Sequence, residues 1–154
     1  MRRNGFTLVE LVMVMVMIGV LAVVALPRLQ ENSSLRAAAW HDQVQAALRH
    51  ARQTAVGHRR LVCATVATGA VTLTIASANP ATTCGAAWRG PDGNIAWARE
   101  GSGIATSVTP AGTLYFQPSG RITSDGAGTT ALNASVTITG ETAIGVVGET
   151  GHVE

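Results

Sequence analysis

The sequence predicts an α+β chain, one long N-terminal helix followed by a β-rich globular domain. Three observations predict it. Residues 6–26 read FTLVELVMVMVMIGVLAVVAL, an apolar run in which Glu10 is the only ionisable side chain. Further on, Trp40, Val44, Ala47, Leu48, Ala51 and Ala55 recur at spacings of three and four, the period of one helical face. Past Gly57 the chain turns to short Val-, Thr- and Ile-rich runs punctuated by Gly, Pro and Asn, which is strand and turn chemistry.

The first element is the apolar run. Its 21 residues make a helix roughly 30 Å long at about 1.5 Å per residue, the thickness of a bilayer's hydrocarbon core. An acid at the centre of such a span costs about 2.5–3.5 kcal/mol. The thirteen Leu, Ile, Val and Phe residues return roughly 4–8 kcal/mol between them. Glu10 stands near one end, where its cost is smaller, so the run can span with its acid. It is long for a secretory h-region, and Ala22–Ala25 is followed by Pro27 and Arg28 instead of a small-x-small cleavage site. Arg2 and Arg3, with no acid before Glu10, place the N-terminus in the cytoplasm and the remainder outside; Arg28 opposes that bias slightly.

The stretch Gly5-Phe6-Thr7-Leu8-Val9-Glu10, behind a short basic leader and ahead of an apolar helix, resembles the prepilin cleavage and methylation motif. The resemblance implies that a prepilin peptidase cuts after Gly5 on the cytoplasmic side and methylates the new amine of Phe6. Residues 1–5 would be the leader, Glu10 the assembly acid, and Pro27 stands where family members carry a helix-bending proline. The physical chemistry agrees. Cleavage creates a cationic amine at Phe6, and a buried ion without a partner is costly, so Glu10 of one subunit could neutralise the Phe6 amine of a neighbour and set the register of packed helices. The plainer alternative is an interfacial acid that snorkels to the headgroups.

Residues 28–57 read as an amphipathic continuation of the helix, with His41, Gln45, Arg49 and Arg52 opposite the apolar stripe. Asn32, Ser33 and Ser34 interrupt the pattern and are candidates to loosen or re-cap it, and Gly57 is the expected stop. The stripe must pack on the β-rich part of the chain. Expected strands are 61–68 and 71–78, joined as a hairpin at Gly69-Ala70, then 94–99, 113–117, 135–139 and 143–147. Loops are expected at 79–87, 101–103 and 124–128, with a turn at 89–93.

With 154 residues, one small domain remains after leader and span. Lysine is absent and 13% of residues are charged, against roughly 25% in an average protein. The formal charge of +2 shrinks when Arg2 and Arg3 leave, so overall charge does not point to nucleic acid. In an exported domain the pair Cys63 and Cys84 reads as one disulfide, with two buried thiols as the alternative. Without a CxxC or a nearby His pair they do not suggest zinc.

A long N-terminal hydrophobic helix packed on an antiparallel β-sheet domain is the type IV pilin-like architecture. The order helix, Cys63, hairpin, Cys84, Trp88 and LYFQPSGRI at Leu114–Ile122 resembles the GspH/FimT group of minor pilins and pseudopilins. The implied organisation is a leader at 1–5, a transmembrane and assembly helix at 6–27, its amphipathic continuation at 28–57, and a β-rich domain at 58–154. The implied partners are the prepilin peptidase, other pilin or pseudopilin subunits and the inner-membrane assembly platform. The implied location is the bacterial inner membrane, single-pass with a periplasmic C-terminal domain, and then a pilus or pseudopilus.

No enzyme, cofactor or metal is expected. His41, His50, His58 and His152 are scattered without an HExxH pair or a phosphate loop. Asp125-Gly126 offers one carboxylate, too few for calcium, and Ser119-Gly120 lacks the GxSxG context of a nucleophile. Arg49, Arg52, His58, Arg59 and Arg60 form a basic cluster that could meet DNA phosphates; a solvated helix C-terminus, where cations are favoured, accounts for it better. Some FimT-like proteins bind DNA through a terminal Gly-Arg-x-Arg element. The corresponding tail here is Gly151-His152-Val153-Glu154, whose acidic end would repel phosphate. Three functions therefore stand: a minor pilin that initiates or caps a pilus, a type II secretion pseudopilin, and a DNA-uptake pilin using Arg49, Arg59, Arg60 or Arg121.

Overall fold

The structure, a computed structural model, describes residues 8–154, and the side chains of all of these except 22–32. One helix, α1, runs Leu8–His58 over 51 residues. Among the described residues ten strands succeed it: β1 Val62–Ala67, β2 Ala70–Ile75, β3 Ala86–Trp88, β4 Ala96–Arg99, β5 Thr106–Thr109, β6 Leu114–Phe116, β7 Ile122–Thr123, β8 Ala134–Ile138, β9 Ile144–Val147 and β10 His152–Val153. The described chain divides after Arg36 into two units.

In the first unit the α1 residues from Leu8 to Leu21 are all apolar except Glu10. Leu8, Val9, Met13, Met15, Met17, Ile18 and Leu21 are each more than 60% exposed. A helix of this composition has no polar face to offer water and needs an apolar medium or neighbouring helices. Helical backbone continues through Asn32, Ser33 and Ser34, so the polar triplet does not interrupt α1.

In the second unit the stripe behaves as its spacing requires. Trp40, Val44, Ala47, Leu48, Ala51 and Ala55 are at most 1% exposed. They form one core with Val62, Ala64, Val71, Leu73, Leu114 and Phe116 of one sheet and Val136, Ile138, Ile144, Val146 and Val153 of another. The first sheet has the order β3-β2-β1-β6-β7, with β4 also on β2; the second has the order β10-β9-β8-β5. Neighbouring strands run antiparallel in both sheets. In β2 the side chains alternate between half-buried and buried, the period-two signature of one face on a core.

Several boundaries differ from expectation, each for a local reason. The helix does not stop at Gly57 but runs one residue further, and the left-handed residue that ends it is Arg59, φ 52°. Its N–H donates to Val56 O (3.3 Å) and that of Arg60 to Ala55 O (3.1 Å), the paired bonds of a Schellman cap. In the hairpin Ala67 pairs with Ala70, so the turn is Thr68-Gly69. Gly69 takes φ 74°, and its position is fixed by Glu100, whose N–H donates to Gly69 O at 2.9 Å. Four strands, β3, β5, β7 and β10, lie where loops or nothing regular were expected. Each has four residues or fewer, too short to carry a readable alternation.

Candidate assembly site and the basic surface

At the start of the described helix Glu10 stands in the first turn, exposed among exposed apolar neighbours. Gly5, Phe6 and the side chain of Pro27 lie outside the described residues, as does part of the expected span. Among the described residues no helix is long and apolar enough to cross a membrane.

The arginines singled out from sequence separate into two kinds. Arg49 donates from Nε (3.1 Å) and Nη2 (3.0 Å) to Val153 O. Its neighbour one turn on, Arg52, donates from Nη2 to Thr150 O at 2.9 Å and from Nε to Gly120 O at 3.4 Å. Both guanidiniums thus tie α1 to the C-terminal residues, where the N–H of Glu154 donates to Gly145 O and that of Gly145 to Glu154 O. Arg121 forms a two-pronged pair with Glu149, at 3.1 and 2.9 Å. Arg59 and Arg60, by contrast, are exposed at the helix end. Of the four candidate DNA-contacting residues, Arg49 and Arg121 thus bond within the domain, whereas Arg59 and Arg60 are exposed.

Cys63 and Cys84 are joined as a disulfide with Cα atoms 6.1 Å apart. Closing 21 residues of sequence stabilises by about 3 kcal/mol in the chain-entropy picture. The bond fastens the loop after β2 onto β1, beside Leu61, Ala76 and Tyr115. That loop also packs against Gly126, where an added Cβ would collide with Thr82 O.

Asp125 is a turn acid. It accepts from the N–H and Oγ–H of Thr129 and from the N–H of Thr130, and the Thr129 hydroxyl foremost holds its carboxyl below the usual range. Among the described residues no group of His, Cys, Asp and Glu could hold a metal ion.

Sequence reasoning did not foresee the aromatic contacts between α1 and the β3–β4 arm. Trp88 Nε1–H donates to His50 Nε2 at 3.1 Å. The His50 ring stacks on Trp97 with centroids 5.2 Å apart, and His58 meets Trp88 edge-on at 5.0 Å. The signal that could have found them is the pair Trp88 and Trp97 flanking a Gly-Pro-Asp-Gly turn, set against a helix carrying His50 and His58 two turns apart.

Comparison with known proteins bears on the N-terminus. Residues 1–26 match the family model described as the prokaryotic N-terminal methylation motif. The chain carries a prepilin-type methylation motif. The match covers 26 of the 154 residues and supports a type IV pilin-like N-terminus of the kind that a prepilin peptidase processes. No curated protein and no solved structure matches the chain.

Proposed function

We propose that this chain is a minor type IV pilin of the GspH/FimT kind, which helps to initiate or cap a pilus. In this reading the peptidase cuts after Gly5, Phe6 becomes the methylated N-terminus, and the segment 6–27 anchors the protein as a single pass in the inner membrane with the β-rich domain in the periplasm. On assembly, Glu10 leaves the membrane paired with the Phe6 amine of a neighbouring subunit, and Pro27 sits at the bend of the anchoring helix. The observation that carries the proposal is Glu10 in the first turn of a helix whose apolar side chains are bare, inside the segment that matches the methylation motif. A carboxylate taken into an apolar helix bundle needs a cationic partner, and the processed amine is the nearest one the motif creates.

A type II secretion pseudopilin is the alternative within the same chemistry, since its helix would assemble by the same pairing. DNA uptake is the third reading and would rest on Arg59 and Arg60, because Arg49 and Arg121 already have partners within the domain.

The test is Glu10→Val, followed by processing, incorporation into sheared filaments, motility and protein secretion. The expected variant is cleaved and retained in the membrane but missing from filaments. Loss of motility assigns the pilus, and loss of secretion assigns the pseudopilus. Normal filaments and phenotypes would refute the pairing mechanism.

A further inference from the structure

The β3–β4 arm has an unusual attachment. Strands β3 and β4 both pair with the same edge of β2, β3 along Leu73–Ile75 and β4 along Ala70–Thr72 with a register shift between Val71 and Thr72. Trp88 and Trp97 therefore stand near one another, half-buried, and both reach one side chain of α1, the imidazole of His50. Trp88 makes its contact as a hydrogen-bond donor, which requires Nε2 of His50 to be unprotonated. Trp97 makes its contact through ring faces.

These two contacts respond oppositely to a proton. An imidazolium carries N–H on both nitrogens, so the indole N–H of Trp88 would face a donor and lose its acceptor. A ring stacked on an indole face loses nothing on becoming cationic and gains a cation–π component. We propose that His50 is an acid-sensitive fastener that hydrogen-bonds Trp88, and through it the three-residue strand β3, to α1 while neutral and gives up that bond on protonation, leaving Trp97 in place and Trp88 with its edge contact to His58.

The surroundings leave this proton to His50 itself. On α1, His58 meets Trp88 edge-on, while Arg49 and Arg52 are turned to Val153, Thr150 and Gly120. Strand β2 contributes no ionisable residue. Beyond β3, Arg89 donates to Gly93 O, and Asp92 accepts from the backbone and side chain of Asn94. On β4, Arg99 is exposed. Among the described residues no carboxylate bonds to His50. Burial alone moves its pKa, and moves it down from the ordinary 6.5, so the fastener is closed at neutral pH and opens in mild acid.

The experiment is indole and imidazole ¹⁵N NMR of the full-length chain in neutral detergent micelles, from about pH 8 to about pH 5. At the upper end His50 should carry its proton on Nδ1. As the pH falls, the Trp88 indole N–H signal should move with a midpoint below 6.5, whereas that of Trp40, which donates to Thr106 Oγ1 in the core, should not. His50→Gln, whose amide oxygen accepts but does not titrate, should abolish the shift, and His58→Gln should leave it. The proposal is overturned by a Trp88 signal indifferent to pH, by a shift that survives His50→Gln, or by a wild-type His50 protonated on Nε2 at the upper pH. The last of these outcomes is read from the wild-type chain and needs no variant to fold.

Discussion

Arg49 of α1 grips the main-chain carbonyl of Val153 with two N–H donors, at 3.1 and 3.0 Å. The bond crosses 104 positions of sequence and joins the one long helix to the last strand, whose Val153 side chain is buried in the core. A planar fork can place two donors on one oxygen, whereas an ammonium offers a single point contact.

Arg49→Lys should therefore cost nearly as much as Arg49→Met, although it keeps the charge. Hydrogen bonds from charged donors contribute about 1.5–3 kcal/mol, and exposure of the side chain lowers that to about 1–2 kcal/mol here. Thermal denaturation of the three proteins measures the loss. Amide exchange should accelerate first at Gly145 and Glu154, which bond to each other across β9 and the chain end.

Replacing Arg59 by glycine should stabilise the protein. Arg59 holds φ 52° as the left-handed residue of the helix cap, a conformation that costs a side-chain-bearing residue about 1 kcal/mol and costs glycine far less. The variant should melt a few degrees higher, with the two cap hydrogen bonds intact. A fall in melting temperature would mean that the Arg59 side chain contributes a contact greater than its backbone strain.

Acid should destabilise the loops through three loop carboxylates, one exposed and two half-buried. Asp92, Glu100 and Asp125 have pKa values below the ordinary range, chiefly through hydrogen bonds from Asn94, Ser102 and Thr129 respectively. A carboxyl with a depressed folded pKa contributes stability that is present above its unfolded value and is lost as pH falls through the folded one. Stability should thus drop as pH passes below the ordinary values of 3.8 for aspartate and 4.5 for glutamate. His50, depressed from 6.5, has the same sign at higher pH: its neutral folded form favours folding above that value and loses ground below it. Melting temperature against pH should show two separate declines, and Asp125→Ala should flatten only the acidic one.

Much of this architecture is legible in the chain because it rests on periodicity. The stripe from Trp40 to Ala55 specifies its buried face, and the runs around Val62, Leu73, Val136 and Ile144 specify strands, all through regular spacing of apolar groups. What escapes is set by pairing across long sequence distances. Strand β3 is three residues, Ala86–Trp88, and is a strand because β2 offers it an edge. Arg49 and Arg121 look from sequence like solvated cations; one is bound by a carbonyl and the other by Glu149, partners 104 and 28 residues away. The left-handed position at Arg59 is hidden for a different reason: Gly57 is the better residue for it, yet the helix runs through His58 and the left-handed residue follows there. At the assembly end the motif from Gly5 to Glu10 is readable because it is contiguous.

The grip of both sheets on the helix between Ala37 and His58 also has a mechanical meaning. A pull applied at Ala37 meets Trp40, Val44, Leu48, Ala51 and Ala55, all seated in one core, and then the arginine bonds to the chain's last strand. Load entering along the helix at Ala37 is shared by the central and terminal strands together instead of peeling one edge at a time, so the domain should resist that pull better than its modest size suggests.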